Sequence, residues 1–381
     1  MLSTYVRRIP AALPSMARFS STTASSSSAE LHYTMKPPPS KAHLHKPIPS
    51  AHLPQGYVLT GIHSGIKKVP SLLDLAVIKS TTPEPASAAA CFTRNAFRAA
   101  PVVVSEEVLR KSGGKARSVV VSSGNANAVT GAKGLSDAWA MVKAVDSLEG
   151  GGKSGNGESE TLVTSTGVIG VQLPIDRILS GISSLAPSST QPSSTSSETS
   201  LGTTPIHWER VARAFMTTDT FPKLRARTFT VQGRTYRIAG MSKGAGMIHP
   251  DMGPPSSSSV TNASSSSSPA LHATLLALVL TDAPVSSSSL QSALTYATDR
   301  SFNAISVDGD MSTNDTVLAL ANGAAAAPGE EISETRDVKA FTEFRDALTD
   351  FAAELAQLVV RDGEGATKFV TVSVEVGLKQ S

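Results

Sequence analysis

The stretch LHATLLALVLTDA, residues 271–283, decides the reading of this chain. Leu275 to Leu280 form a nearly pure apolar run of the length of a buried strand, and Thr274 sets a hydroxyl at its mouth. Upstream, KGAGMIHPDMG runs from Lys243 to Gly253, and mainly low-complexity sequence separates the two stretches. Chemistry-bearing residues on both sides of a dispensable insert are expected of two halves of one site. Ala273–Thr274 is then a candidate scissile bond. Cleavage there makes Thr274 a chain N-terminus, with a nucleophilic hydroxyl and an amine able to activate it.

Working outward, three segments look dispensable to a core: Gly150–Glu158, Ser183–Thr204 and Pro254–Pro269. Gly/Ser/Pro-rich tracts bury too little apolar surface to offset their ordering entropy, so surface loops are expected there. Between them, Ser118–Val121 reads as a strand entering the loop SSGNANAVTGAKG, and Ser136 as the N-cap of a helix carrying Trp139, Val142 and Val145. Thr161–Ser165 reads as another short strand. Leu290, Ala293, Leu294 and Ala297 keep helical spacing. Phe341, Phe344, Leu348, Phe351, Leu355 and Leu358 make a longer helical stripe that should pack on a sheet. Val370, Val372, Val374 and Val376 alternate with polar residues, as in a half-buried strand. Short strands with covering helices predict an α+β fold.

Composition narrows the function classes. The 381 residues are 40% hydrophobic and 17% charged, enough for a sizeable core. The first 29 residues hold Arg7, Arg8 and Arg18, many serines and no acid. That start resembles a mitochondrial presequence over residues 1–29. Without those three arginines, the numbers of basic and acidic residues are equal, which argues against a dedicated nucleic-acid binder. No apolar stretch reaches the ~20 residues needed to span a bilayer, so no membrane partner is expected. Cys91 is the only cysteine, which excludes an intrachain disulfide and a thiolate-rich zinc site. Its alanine-rich surroundings suggest a small buried residue.

Several motifs have plain alternatives. GAKG, GGKAR and SKGAGM lack Walker spacing, and no G-x-G-x-x-G stands between a strand and a helix. In SVDGDMSTND, Asp308, Asp310 and Asp315 lack EF-hand spacing, so local turn hydrogen bonds are favoured over a cation site. G-x-S-x-G and H-E-x-x-H are both absent. His249 and His272 flank the Ser-rich insert; one of them can serve Thr274 as a base, and a surface position for both is the more economical reading. Thr130 and Gly131 offer a hydroxyl and an unobstructed backbone N–H, the two donors an oxyanion hole requires. An ordinary turn explains them equally well. Glu364, between Gly363 and Gly365 in DGEGATKF, can face a cleft where the long helix reverses.

Together the stretches GIKKVPSLLDLAVI, FTRNAFRAAPV, SSGNANAVTGAKG, TSTGVIG, MTTDTFPK, SKGAGMIHPDMG, HATLLALVLTDAPV, SFNAISVDGDMSTNDT and LVVRDGEGATKF are more specific. In this order, from about Gly56 to Lys368, they resemble the ornithine acetyltransferase family of arginine biosynthesis, the ArgJ-type glutamate N-acetyltransferases, especially its fungal mitochondrial members. The resemblance implies a layered α/β sandwich like that of DmpA-type aminopeptidases, and a precursor that cleaves itself at Ala273–Thr274. An α chain would span residues 30–273, with Ser-rich inserts near 183–204 and 254–269, and a β chain residues 274–381.

By the same resemblance, Thr274 is the nucleophile that takes the acetyl group from N2-acetylornithine and passes it to glutamate, in a ping-pong scheme. Thr130 and Gly131 match the oxyanion-hole pair, and Thr166, Lys243, Thr274 and Glu364 match substrate-binding positions. No metal or organic cofactor is implied; acetyl-CoA enters only as a co-substrate in some members. The α and β chains would assemble as a heterotetramer or larger, in the mitochondrial matrix. Two departures from the family stand out. Lys243 and Thr274 are 31 positions apart, and the family's C-terminal substrate-binding segment has no counterpart, so the β chain is expected to be C-terminally incomplete. Two other classes fit the same features: an N-terminal-threonine aminopeptidase or amidohydrolase on the same scaffold, and a noncatalytic truncated paralogue.

Overall fold

The structure, a computed structural model, describes residues 41–149, 158–186, 198–255 and 272–373. The strands in chain order are β1 (Tyr57–Ile62), β2 (Leu75–Ser80), β3 (Ala86–Thr93), β4 (Lys115–Ala116), β5 (Ser118–Asn125) and β6 (Thr161–Val168). They continue with β7 (Lys223–Val231), β8 (Arg234–Lys243), β9 (Met252–Gly253), β10 (His272–Ala273), β11 (Leu276–Thr281) and β12 (Thr316–Ala321). The helices are α1 (Ala100–Ser112), α2 (Gly131–Asp146), α3 (Ile175–Ser183), α4 (Pro205–Phe215), α5 (Ser287–Asp299) and α6 (Val338–Arg361).

The strands form two sheets. One is five-stranded in the order β1-β2-β5-β6-β10; the other runs β4-β3-β12-β11-β8-β7, with β9 paired to β3. Two pairs are parallel, β5 with β6 and β11 with β12, and a helix lies between their strands in sequence, α2 in the first case and α5 in the second. A parallel pair needs such a crossover, because a hairpin turn cannot return the chain to the same direction.

Alternation along the strands shows why the sheets stack. Leu276, Leu278 and Leu280 of β11 share a core with Ala76 and Ile78 of β2 and Val119 and Val121 of β5, so this core lies between the sheets. The other face of β11, Ala277 and Val279, packs with α5 and α6. Val77, Val120 and Val163 on the other face of the first sheet pack with α2 and α3. Strands covered on both faces read as continuous apolar runs, which explains LLALVL. The result is a layered α+β sandwich, with α2 and α3 outside the first sheet, α5 and α6 outside the second, and α4 adding Trp208, Val211 and Phe215 to the core between the sheets.

The helices follow local sequence closely. The side chain of Ser286 caps α5 by accepting from Ser289 N, and Asp337 caps α6 by accepting from Ala340 N at 2.9 Å. All six residues of the α6 stripe are buried, and Cys91 is buried in β3. Burial pushes its thiol up to about 11, the state of an inert packing residue.

Four expectations need correction or fall outside the described residues. Helix α2 starts at Gly131, with Thr130 rather than Ser136 at its N-cap. Tertiary hydrogen bonds from Asn127 and Gln172 hold this glycine-rich first turn against its poor helix propensity. The 183–204 segment is described only at its two ends. There Gly202 bridges Leu59 and Glu198 O accepts from Thr60 Oγ1, so the stretch from 198 to 204 is tied to β1. Residues 370–373 form no strand, and Val370 and Val372 are 73% and 81% exposed. Alternation alone cannot make a strand without a ladder partner for its N–H and C=O groups. Val374, Val376, the 1–29 segment, and nearly all of 150–158 and 254–269 lie outside the described residues.

Candidate active site

Thr274 occupies the point where the chain crosses between sheets. Immediately before it, His272 and Ala273 pair with Val168 and Gly167 of β6 in the first sheet. Immediately after it, Leu276 opens β11 between Lys243 of β8 and Thr316 of β12 in the second. The Ala273–Thr274 peptide is therefore clamped by ladders on both sides. Thr274 is buried, at 3% exposure.

Lys243 and Thr166 bridge the same gap. Lys243 ends β8 in the second sheet, Thr166 lies on β6 in the first, and Lys243 Nζ donates to Thr166 Oγ1 at 2.9 Å. Both are fully buried. Burial pushes the Lys243 ammonium down to about 8, against the opposing pull of Asp219, Asp315 and Glu364. A buried lysine with its nearest side-chain bond to a neutral hydroxyl is suited to a carboxylate that arrives from solution. The loop that follows Lys243 passes Thr274 closely: a Cβ on Gly244 would lie 3.7 Å from Thr274 Cγ2.

Glu364 approaches from the end of α6. Its N–H donates to Ala245 O at 2.7 Å, and its carboxylate lies over Gly246, where a Cβ would stand 3.0 Å from Glu364 Cδ. Only a glycine lets the two segments come this close without displacing the carboxylate. Glu364 is exposed, so it presents a negative charge at the rim of the site. Lys243, Thr166, Thr274 and Glu364, which stand far apart in the sequence, thus converge here.

Thr130 and Gly131 lie in a strained loop. Asn127 and Val129 have φ of 51° and 56° and Gly131 has 64°. A β-branched residue in the left-handed region is a genuine outlier, and such strain is sustained only by the surrounding structure. Thr130 Oγ1 donates to Asn127 Oδ1 at 2.7 Å, and Gly131 stands at the N-terminus of α2, the positive end of its dipole. The loop is tied toward Thr274 by Asn314, whose amide nitrogen donates to Ala126 O at 2.7 Å and to Ser165 O at 2.8 Å. His249 is exposed; the side chain of His272 lies outside what the structure describes.

Two further groups of residues support the site, the first not singled out by sequence and the second read there only as a turn. The first is a buried ionic cluster in which Lys223 pairs with Asp219 and, at 2.6 Å, with Asp362. Asp219 Oδ1 also accepts from Gly244 N at 2.7 Å. Burial alone would raise the Asp219 carboxyl, but Lys223 and Lys243 hold it well below the usual carboxylate range. Asp362 caps the end of α6, two residues before Glu364, so this cluster fixes Lys243 and Glu364 relative to each other. The charged residues of MTTDTFPK beside the apolar Phe221 were the available signal. The second group is the turn Ser312–Asp315. Asp308 and Asp315 make the expected local turn bonds, accepting from Asp310 N at 3.1 Å and Ser312 N at 3.3 Å, and add long-range ones: Asp308 accepts from Met247 and Ile248 N, and Asp315 from Leu275 N at 3.1 Å.

The ArgJ family model matches residues 58–381. The mitochondrial arginine biosynthesis bifunctional protein ArgJ of Postia placenta is 65% identical over 340 residues, covering 89% of this chain and 69% of the relative. The protein of the same name in Coprinopsis cinerea is 62% identical, covering 89% and 68%. Among solved structures, the ornithine acetyltransferase of Mycobacterium tuberculosis, complexed with ornithine, is 30% identical with a TM-score of 0.42, covering 55% of this chain and 96% of that one. On the family match and the fungal relatives, this chain belongs to the ArgJ family of arginine biosynthesis enzymes.

Proposed function

We propose that this chain is a self-processing N-terminal-threonine acetyltransferase of the mitochondrion, moving an acetyl group from N2-acetylornithine to glutamate. One observation carries the reading of the site: Thr274 is buried at the crossing between the sheets, with the Lys243–Thr166 bridge next to it. In the first event, Thr274 Oγ1 attacks the Ala273 carbonyl and the acyl group moves from nitrogen to oxygen. Water then hydrolyses the ester, leaving a carboxylate on Ala273 and an amine on Thr274. The α chain spans 30–273 once a presequence of residues 1–29 is removed, and the β chain starts at Thr274.

In the transfer itself, the Thr274 amine takes the hydroxyl proton as Oγ1 bonds to the acetyl carbonyl carbon. Thr130 turns its hydroxyl from Asn127 to the developing oxyanion, and Gly131 N–H supplies the second donor. The C–N bond then breaks, the departing amine of ornithine takes the proton, and an acetyl-threonine remains. The amine of glutamate attacks this ester, the bond from the acetyl carbon to Thr274 Oγ1 breaks, and the proton lost by the amine passes to Oγ1 as N-acetylglutamate leaves. Lys243 and Thr166 receive a substrate carboxylate, and Glu364 a substrate amine. A thioester donor reaches the same acyl-threonine, so acetyl-CoA is a candidate co-substrate, and the chemistry calls for no metal. The two chains are proposed to assemble as a heterotetramer or larger.

Incubation with N2-acetylornithine and glutamate tests this reading, with both N-acetylglutamate and acetate measured. N-acetylglutamate in step with ornithine is expected. Acetate without N-acetylglutamate would assign the chain to the amidohydrolases instead.

A further inference from the structure

The nitrogen of Thr274 has a partner of its own. Thr274 N–H donates to Ser312 Oγ at 3.0 Å, inside the protein. Ser312 Oγ also accepts from Asn314 N at 3.1 Å, so both of its lone pairs are engaged and its hydroxyl proton is left to be donated. The carboxyl of Asp315, which burial pushes up to about 7, receives it in the ionised form, and also accepts from Ser312 N at 3.3 Å and Leu275 N at 3.1 Å. Thr93 Oγ1 donates to Ser312 O at 2.9 Å and ties the turn to β3. One four-residue turn thus holds the nitrogen of Thr274, the backbone just after it and, through Asn314, the loop that carries Thr130.

We infer that Ser312, held by Asp315, is the positioning residue of the Thr274 amine. The inference rests on the proposal that Thr274 becomes a chain N-terminus. The N–H that Ser312 accepts in the precursor amide survives in the amine after cleavage. A neutral amine that gives one N–H to Ser312 Oγ is restrained about the Cα–N bond, and its lone pair can then be aimed at its own hydroxyl. When the hydroxyl proton moves to nitrogen and Oγ1 bonds to the acetyl carbon, the ammonium donates to a serine whose own proton points at a carboxylate. That charge-assisted chain stabilises the ammonium until it passes its proton to the departing ornithine amine. Ser312 and Asp315 exchange no proton with substrate. The other charges facing this point are Lys243 at the end of β8 and, around it, Asp219, Lys223 and Glu364.

The test compares Ser312→Ala with Ser312→Thr, beside wild type and Thr274→Ala, all checked for folding by near-UV circular dichroism. Self-division is read by denaturing mass analysis, and kcat, KM and the pH profile of kcat/KM by N-acetylglutamate formation. Ser312→Ala should lose roughly 10²-fold in kcat with KM little changed. Its acidic limb should move to lower pH, because the ammonium has lost its acceptor, and Ser312→Thr should restore both. Ser312→Ala that stays one chain while Ser312→Thr divides would place Ser312 in self-division instead of at the amine, and would overturn the inference. If Ser312→Ala divides and turns over with wild-type kcat and limb, or if neither variant divides, the inference falls. Wild type that fails to divide at Ala273–Thr274 would instead overturn the reading on which it rests.

Discussion

On the proposed reading, Lys243 carries the pH dependence of substrate binding. In the unfolded chain its ammonium holds its proton up to about 10.5, whereas burial in the folded protein lowers this to about 8. The cost of burying the charge is therefore present in full below pH 8. Between about 8 and 10.5 the unfolded state binds more protons, so this residue's contribution to stability rises with pH across that window. Binding runs the other way, since a carboxylate needs the charged form. The KM for N2-acetylornithine should rise above pH 8, by about tenfold per pH unit once the neutral form dominates. Lys243→Met should have a high KM with no such rise, as steady-state kinetics across pH 7–10 would show. Sequence pointed to Lys243 because lysine suits a carboxylate and because its motif resembles a known one. Its hydroxyl partner, 77 positions away on another sheet, was not readable from spacing. Asp308 and Asp315 were read as turn residues, and they are; their added long-range bonds were not legible, because an aspartate near glycines looks the same whether or not it also reaches a distant strand.

Elements are positioned as much by the buried ionic cluster as by apolar packing. Lys223 at the start of β7, Asp219 before it and Asp362 at the end of α6 meet with no exposed side-chain surface, and Thr220 N donates to Asp362 at 2.9 Å. Removing Lys223 leaves two buried carboxylates to be offset by Lys41, 3.0 Å from Asp362, and Lys243, near Asp219, in its place. Lys223→Met should cost about 3–5 kcal/mol of stability, measurable by urea unfolding. It should also weaken binding, since Gly244 and Glu364 are both moored to this cluster. A loss below about 1 kcal/mol would mean that the cluster does not hold the site together. The helical elements were legible because α5 and α6 combine a capping residue with a 3.6-residue apolar stripe. The start of α2 was not, because distant side chains rather than its own residues stabilise the first turn. Over residues 370–373 the alternating valines misled for the opposite reason: the pattern is local, but pairing is not.

At the scale of the whole molecule, a cut at Thr274 would leave the first sheet wholly to the prospective α chain and divide the second between the two chains. After a cut at Ala273–Thr274, β11 would still lie between β8 and β12, and β12 would still pair with β3. The β chain would supply the two central strands of a sheet whose other strands belong to the α chain. The two chains should co-elute in size exclusion under native conditions and separate only in denaturant. Separation at neutral pH without denaturant would contradict the topology. The α+β class followed from the strand runs and amphipathic helices, yet nothing in the sequence announced that the chain changes sheets at Thr274. That placement depends on which strands pair, and pairing is a non-local property.

Intact-mass analysis under denaturing conditions, after incubation with N2-acetylornithine and no glutamate, tests the role of Thr274 most directly. The account predicts two chains divided at Ala273–Thr274, with one acetyl group on the threonine that begins the second, and a single unmodified chain for Thr274→Ala. A folded wild-type protein that stays undivided, or divides and carries no acetyl group on Thr274, would contradict it.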